Sequence, residues 1–191
     1  MTWWIFRCQR SGWPLCGPTC AKLVAKSPEV IVPAQCDAKF EIEEYFQPSY
    51  LYECIIVMRT LLLQKSAPAK YKAFMSLESH NEERRGTPAW NKVKETIIDV
   101  MKKTLGIMVF EAVCPEIDFS DETIQKIQGI LETNKKEIRL SASDCEAVYA
   151  IACLMEHSCT PNVKITFDKD FSVRNSQYNK LNSLIFCFRL L

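Results

Sequence analysis

The strongest constraint on this chain is a set of large apolar residues spaced three and four apart between residues 49 and 132, bounded by helix start and stop signals. Trp90, Val93, Ile97, Met101 and Leu105 fall on one face of a helix. Thr87 can accept a hydrogen bond from the first free backbone N–H groups. Pro88 sits where a missing N–H costs nothing, and Gly106 supplies the stop. An earlier helix is expected over 49–64, capped by Ser49 after Pro48, with Leu51, Tyr52, Ile55, Ile56, Met58, Leu61 and Leu62 as a broad apolar face. A third is expected over 120–132. There Asp121 and Glu122 complement the positive end of the helix, and Ile124, Ile127, Ile130 and Leu131 face inward. Ser143 and Glu146 have capping-box spacing, which predicts a fourth helix through Val148, Tyr149, Ile151, Ala152, Leu154 and Met155.

After Pro161 the period changes to two. Val163, Ile165 and Phe167 alternate with Lys164 and Thr166. Asp168-Lys169-Asp170 turns the chain, and Phe171 to Arg174 returns. Two strands alone are marginal in water, so this hairpin is expected to pair with or pack on another element. The pattern divides the chain into 1–36, rich in Cys, Gly and Pro; a helical region, 37–135; a mixed region, 136–175; and a tail, 176–191, whose pattern fits none of the others.

Composition narrows the function classes. The chain carries 48% apolar residues and a net charge of +1, enough apolar content for a core and no basic excess that would draw a nucleic-acid polyanion. Neither the P-loop nor the dinucleotide-binding glycine pattern occurs. The apolar runs at the two ends, Trp3–Phe6 and Leu184–Leu191, are too short or too interrupted for a signal peptide or a membrane span. With ten cysteines, the expectation is a reducing, intracellular setting, cytoplasmic or nuclear, over a secreted disulfide scaffold.

Two constellations carry chemistry. Cys8, Cys16, Cys20 and Cys36 could fill a tetrahedral zinc site, with Cys16 and Cys20 gripping one ion from a turn stiffened by Pro14, Gly17 and Pro18. The competing reading is a set of unconnected free thiols, since cysteine is a common small core residue. In Leu154-Met155-Glu156-His157-Ser158-Cys159-Thr160-Pro161-Asn162, a polar loop precedes a strand whose extension Pro161 enforces. A His157–Cys159 nucleophile pair is disfavoured by geometry and has no acidic partner to orient it. A loop histidine bonded to backbone is the plainer reading.

These same residues carry a family resemblance. Arg7 to Cys20 resembles the second half of a MYND zinc finger. Glu156-His157-Ser158-Cys159-Thr160-Pro161-Asn162 resembles the SET motif Asn-His-Ser-Cys-x-Pro-Asn. Met75 to Thr87 resembles a segment of the helical SET insertion in arthropod members. Gly129 to Asn134 with Glu137-Ile138-Arg139 resembles the start of a strand where an asparagine contacts the cofactor. Over residues 7–175 the chain therefore resembles the SMYD-type proteins, protein-lysine methyltransferases that join a MYND finger to a split SET domain.

The resemblance implies an α+β fold, mainly helical: a partial MYND finger, a helical SET insertion and a fragment of the β-rich SET core. It implies S-adenosylmethionine contacts at Asn134, Glu156, His157 and Ser158. It implies zinc at Cys16 with Cys20 and at Cys8 with Cys36, and a protein substrate or partner. The chain departs from the family pattern in several places. Ser11 stands where the family places a cysteine, and no histidine lies between Cys20 and Cys36, so each ion would have two protein ligands. Glu156 replaces the asparagine, exchanging an amide for an acceptor-only carboxylate. Lys136 stands where the family places an aromatic residue. The family's cofactor-seating glycine strand and first Cys-x-x-Cys pair would precede Met1, and its catalytic tyrosine would follow the Arg174 region. The expectation is thus a chain cut at both ends and catalytically incomplete, with Tyr178 not assigned as catalytic and a non-catalytic protein-interaction module as the alternative.

Overall fold

The computed structural model describes residues 6–7, 14–15, 48–104, 111, 114–140, 143–149, 153, 159–160, 165–167, 173–175, 178–181 and 184–189. The fold is α+β and mainly helical. Strands β1 (Phe6–Arg7) and β2 (Pro14–Leu15) form an antiparallel ribbon, with Phe6 opposite Leu15. The helices follow: α1 (Pro48–Ser66), α2 (Pro68–Met75), α3 (Asn81–Arg84), α4 (Pro88–Val93), a π-helical segment (Lys94–Ile98), α5 (Asp99–Thr104) and α6 (Asp121–Asn134). The remaining strands are β3 (Lys136–Leu140), β4 (Ser143–Tyr149), β5 (Ile165–Phe167), β6 (Val173–Asn175), β7 (Tyr178–Leu181) and β8 (Leu184–Arg189). The chain divides into two compact units, residues 1–71 with 85–125 and residues 72–84 with 126–191.

In the first unit α1 is buried on most sides at its centre. Cys54, Val57, Met58, Leu61 and Leu63 are fully enclosed. Thr60 is enclosed too, and its hydroxyl donates to the Ile56 carbonyl one turn back at 2.9 Å, which removes the cost of burying it. The helix starts at Pro48, so Ser49 lies inside it and is not its cap. Helix α4 begins where the sequence predicts. Thr87 Oγ1 accepts the Trp90 N–H at 3.3 Å, a cap worth about 1 kcal/mol. Past Val93 the backbone widens by one residue, with the Asp99 N–H donating to the Lys94 carbonyl. That widening accompanies burial of both members of the Ile97-Ile98 pair along with Val93 and Met101. The Cys54 thiol lies 3.9 Å from the carbonyls of Thr96 and Ile97. Ser120 caps α6 by accepting the Thr123 N–H at 3.3 Å, and Asp118 accepts the Ser120 N–H at 2.9 Å.

In the second unit Ile127, Ile130 and Leu131 of α6 are buried, as are Phe74 and Leu77. The helix ends at Asn134 and β3 begins two residues later. β3, β4 and β8 make one antiparallel sheet with β4 in the centre: Ile138 faces Cys145 on one side, and Ala147 faces Cys187 on the other. The ladder shifts register between Val148 and Tyr149, where Ile185 is the extra residue on β8. β5, β6 and β7 make a second antiparallel sheet, in which Thr166 faces Arg174.

Two sequence expectations change here, and a third is completed. Residues 143–149, expected to start a helix, form the central strand β4. β4 is paired on both sides, and its last three residues, Ala147, Val148 and Tyr149, are all buried; a short consecutive apolar run of that kind also fits a helix. The Ser143/Glu146 cap signal is local and worth about 1 kcal/mol, less than two ladders of backbone hydrogen bonds contribute together. The tail, which had no assigned pattern, supplies β7 and β8. The expected hairpin forms as β5–β6, and its third partner is β7 from that tail.

Candidate functional site

Of the residues expected to contact the methyl donor, Asn134 is described; Glu156, His157 and Ser158 lie outside the described residues, as do Cys8, Cys16, Cys20 and Cys36. Asn134 is the last residue of α6 and is buried at 6% exposure. Its side-chain Nδ2 donates to the Glu78 carbonyl at 2.7 Å and to the Ile130 carbonyl at 2.9 Å. A carboxamide has two N–H groups, so both are committed to backbone acceptors. What Asn134 can offer to a ligand through its side chain is the acceptor Oδ1. Its own backbone carbonyl accepts the Cys153 thiol at 2.9 Å. Burial pushes the Cys153 thiol above its usual range, which keeps it protonated and able to donate this bond.

The carbonyl that holds Asn134 belongs to a well-braced turn. The Glu78 carboxylate accepts the N–H groups of Ser79 and His80, each at 2.9 Å, and His80 adopts a left-handed backbone at φ 50°. These two N–H groups, that of His80 foremost, hold the Glu78 carboxyl below the usual carboxylate range. The Arg84 N–H donates to the His80 carbonyl at 2.9 Å, and the Arg84 guanidinium pairs with Glu132 of α6 at 3.0 Å. The turn lies against α6 at Gly129, where a Cβ would fall 2.4 Å from the Ser79 carbonyl and 2.7 Å from Arg84 Nη1. Only glycine admits that approach.

Taken alone, the 75–87 segment reads as a charged, solvated loop, yet Leu77 and Ser79 are buried within it. Glu78, Gly129 and Cys153 were therefore not legible as parts of the Asn134 environment. One signal was present: a glycine inside a strong helical pattern marks a packing or functional demand.

The Cys54 thiol is chemically muted. Burial pushes the Cys54 thiol up to about 12, so it is a neutral core group and neither a nucleophile nor a ready metal ligand. Among the described residues no group of three or more His, Cys, Asp and Glu side chains is placed to hold a metal ion, and no helix is long and apolar enough to cross a membrane. Comparison of the chain with protein-family models, with curated proteins and with solved structures gave no match.

Proposed function

We propose that this chain is a SMYD-type SET-domain protein, of the protein-lysine methyltransferase class, that holds S-adenosylmethionine between Asn134 and the Glu156-His157-Ser158 loop. The observation that carries the reading is the 2.9 Å contact between the Cys153 thiol and the Asn134 carbonyl. It joins the end of α6 to a residue only four positions before His157 in the chain, and four residues of chain reach at most about 14 Å. The strand β3, which begins two residues after Asn134, is in keeping with the strand start that the family resemblance implies. The acceptor edge left on Asn134 suits a ligand amino group, of which the methyl donor has two. When bound, that donor supplies an electrophilic methyl group on a sulfonium. In this chain Asn134 would orient it, and Glu156 would add an acceptor in place of the family's amide. No residue is assigned a catalytic role.

Titration calorimetry with S-adenosylmethionine tests the reading. Micromolar affinity is the expected result, and no heat at millimolar cofactor removes it. A second reading, a non-catalytic module that binds a protein partner, draws support from one observation: both N–H groups of Asn134 are used internally, as a purely structural helix terminus would use them. Silence in the calorimeter together with a cooperative fold would favour this second reading.

The zinc proposal is separate. Cys16 with Cys20 and Cys8 with Cys36 would each give an ion two thiolates, half of a closed structural site. Complete sites contribute about 10–16 kcal/mol, and half sites far less. Metal analysis of the purified chain should therefore find much less than full loading. About two zinc ions per chain would show that further ligands complete both sites.

A further inference from the structure

The turn from Ser76 to Arg84 packs on α6 more closely than side-chain burial alone requires. Four features converge there: the Glu78 carboxylate bracing two consecutive N–H groups, the left-handed His80, the Arg84–Glu132 ion pair, and the bare Cα of Gly129 beneath the Ser79 carbonyl. Their common product is the position of one backbone oxygen, the Glu78 carbonyl, 2.7 Å from Asn134 Nδ2. Resting on the methyl-donor reading above, we propose that this turn is a positioning device, with Glu78 and Gly129 as positioning residues that fix the Asn134 carboxamide so that its oxygen is the edge presented to ligand.

The physical logic is that of a terminal carboxamide, whose last torsion is broad and roughly two-fold. Left to itself, such a group offers either its oxygen or its N–H edge. The Ile130 carbonyl, one turn back on the same helix, engages a single N–H at 2.9 Å. The Glu78 carbonyl engages the other and removes the remaining choice of orientation. Neither Glu78 nor Gly129 needs to touch the ligand for this to work. Supporting groups that lock a contact residue are commonly worth one to two orders of magnitude in affinity or rate, on the order of 10–100-fold.

The test uses the full chain, S-adenosylmethionine as the calorimetric probe, and three variants. Glu78→Ala removes the brace from the turn, at a side chain that is itself exposed. Gly129→Ala drives the turn off α6. Ile127→Val trims a fully buried position two residues from Gly129, about 200° around the same helix, and serves as a control for lost stability. Wild-type chain should bind in the micromolar range, Glu78→Ala and Gly129→Ala should bind about tenfold or more weakly, and Ile127→Val should bind within about twofold of wild type at a comparable drop in Tm. In the ligand-free chain the Asn134 side-chain NH2 signals in 15N NMR should lose their hydrogen-bonded shifts in the first two variants and keep them in the third. If Gly129→Ala does not fold, Glu78→Ala carries the comparison alone. Wild-type binding with Glu78→Ala matching the Ile127→Val control overturns the positioning role and leaves the methyl-donor reading standing. A silent wild-type chain overturns both.

Discussion

Tyr149→Ala is expected to lower the free energy of unfolding by about 3–5 kcal/mol, the range for truncating a buried aromatic side chain in a well-packed core. Tyr149 has no exposed surface and is the last residue of β4, the strand with a partner on each side. Its neighbour Val148 points to the opposite face and is also fully enclosed, so both faces of the sheet are covered there. Residues on either side have little freedom to close over the lost ring, and the cavity adds its own penalty to the lost transfer energy. Urea unfolding followed by circular dichroism gives the number, with Tyr149→Phe as the near-isosteric reference. A loss under about 1 kcal/mol would place the ring outside the core.

Ile97→Asp should cost the first unit more, and in a way that depends on pH. Ile97 is 1% exposed in the π-helical segment beside α1. A carboxyl placed there loses its water, so burial raises its folded-state pKa by as much as about 3–5 units over the unfolded value near 3.9. The sign follows directly. Below the unfolded pKa the carboxyl is neutral in both states, and only lost packing and an unmet hydrogen-bonding group count against the fold. As pH rises the unfolded chain ionises first, and the penalty grows by about 1.4 kcal/mol per unit until the folded pKa is reached. At neutral pH the variant should be unfolded in its first unit, or close to it, and should regain cooperative unfolding as pH falls toward about 4. Ile97→Asn, which does not titrate, should show a fixed deficit across the same range. Identical pH profiles for the two variants would mean that position 97 is wet.

Much of the helical part was legible because its signals are local. Thr87 and Pro88 mark a start within one turn of sequence, and Ser120 with Asp121 and Glu122 marks another. Ile124, Ile127, Ile130 and Leu131 repeat at the helical period and are all buried. The β-rich part was harder because its partners are remote. β4 pairs with β8 some forty residues later, and no window around Ser143 contains that information. The period-two pattern at 163–174 was readable because its partner is the next strand.

The candidate site shows the same division. Asn134 was singled out by its resemblance to a motif, but its environment is set by Glu78, fifty-six residues earlier, through a backbone oxygen that no sequence pattern encodes. Gly129 gave a clue in the form of a residue out of place in a good helix. The clue specified that something approaches closely, without saying what.

The position of β8 bears on how this protein should be expressed and handled. Because β8 covers one long side of β4, any shortened version that stops before Leu184 would present bare peptide N–H and C=O groups along a strand that ends in three buried apolar residues, Ala147, Val148 and Tyr149. Such a rim recruits other chains and seeds precipitation.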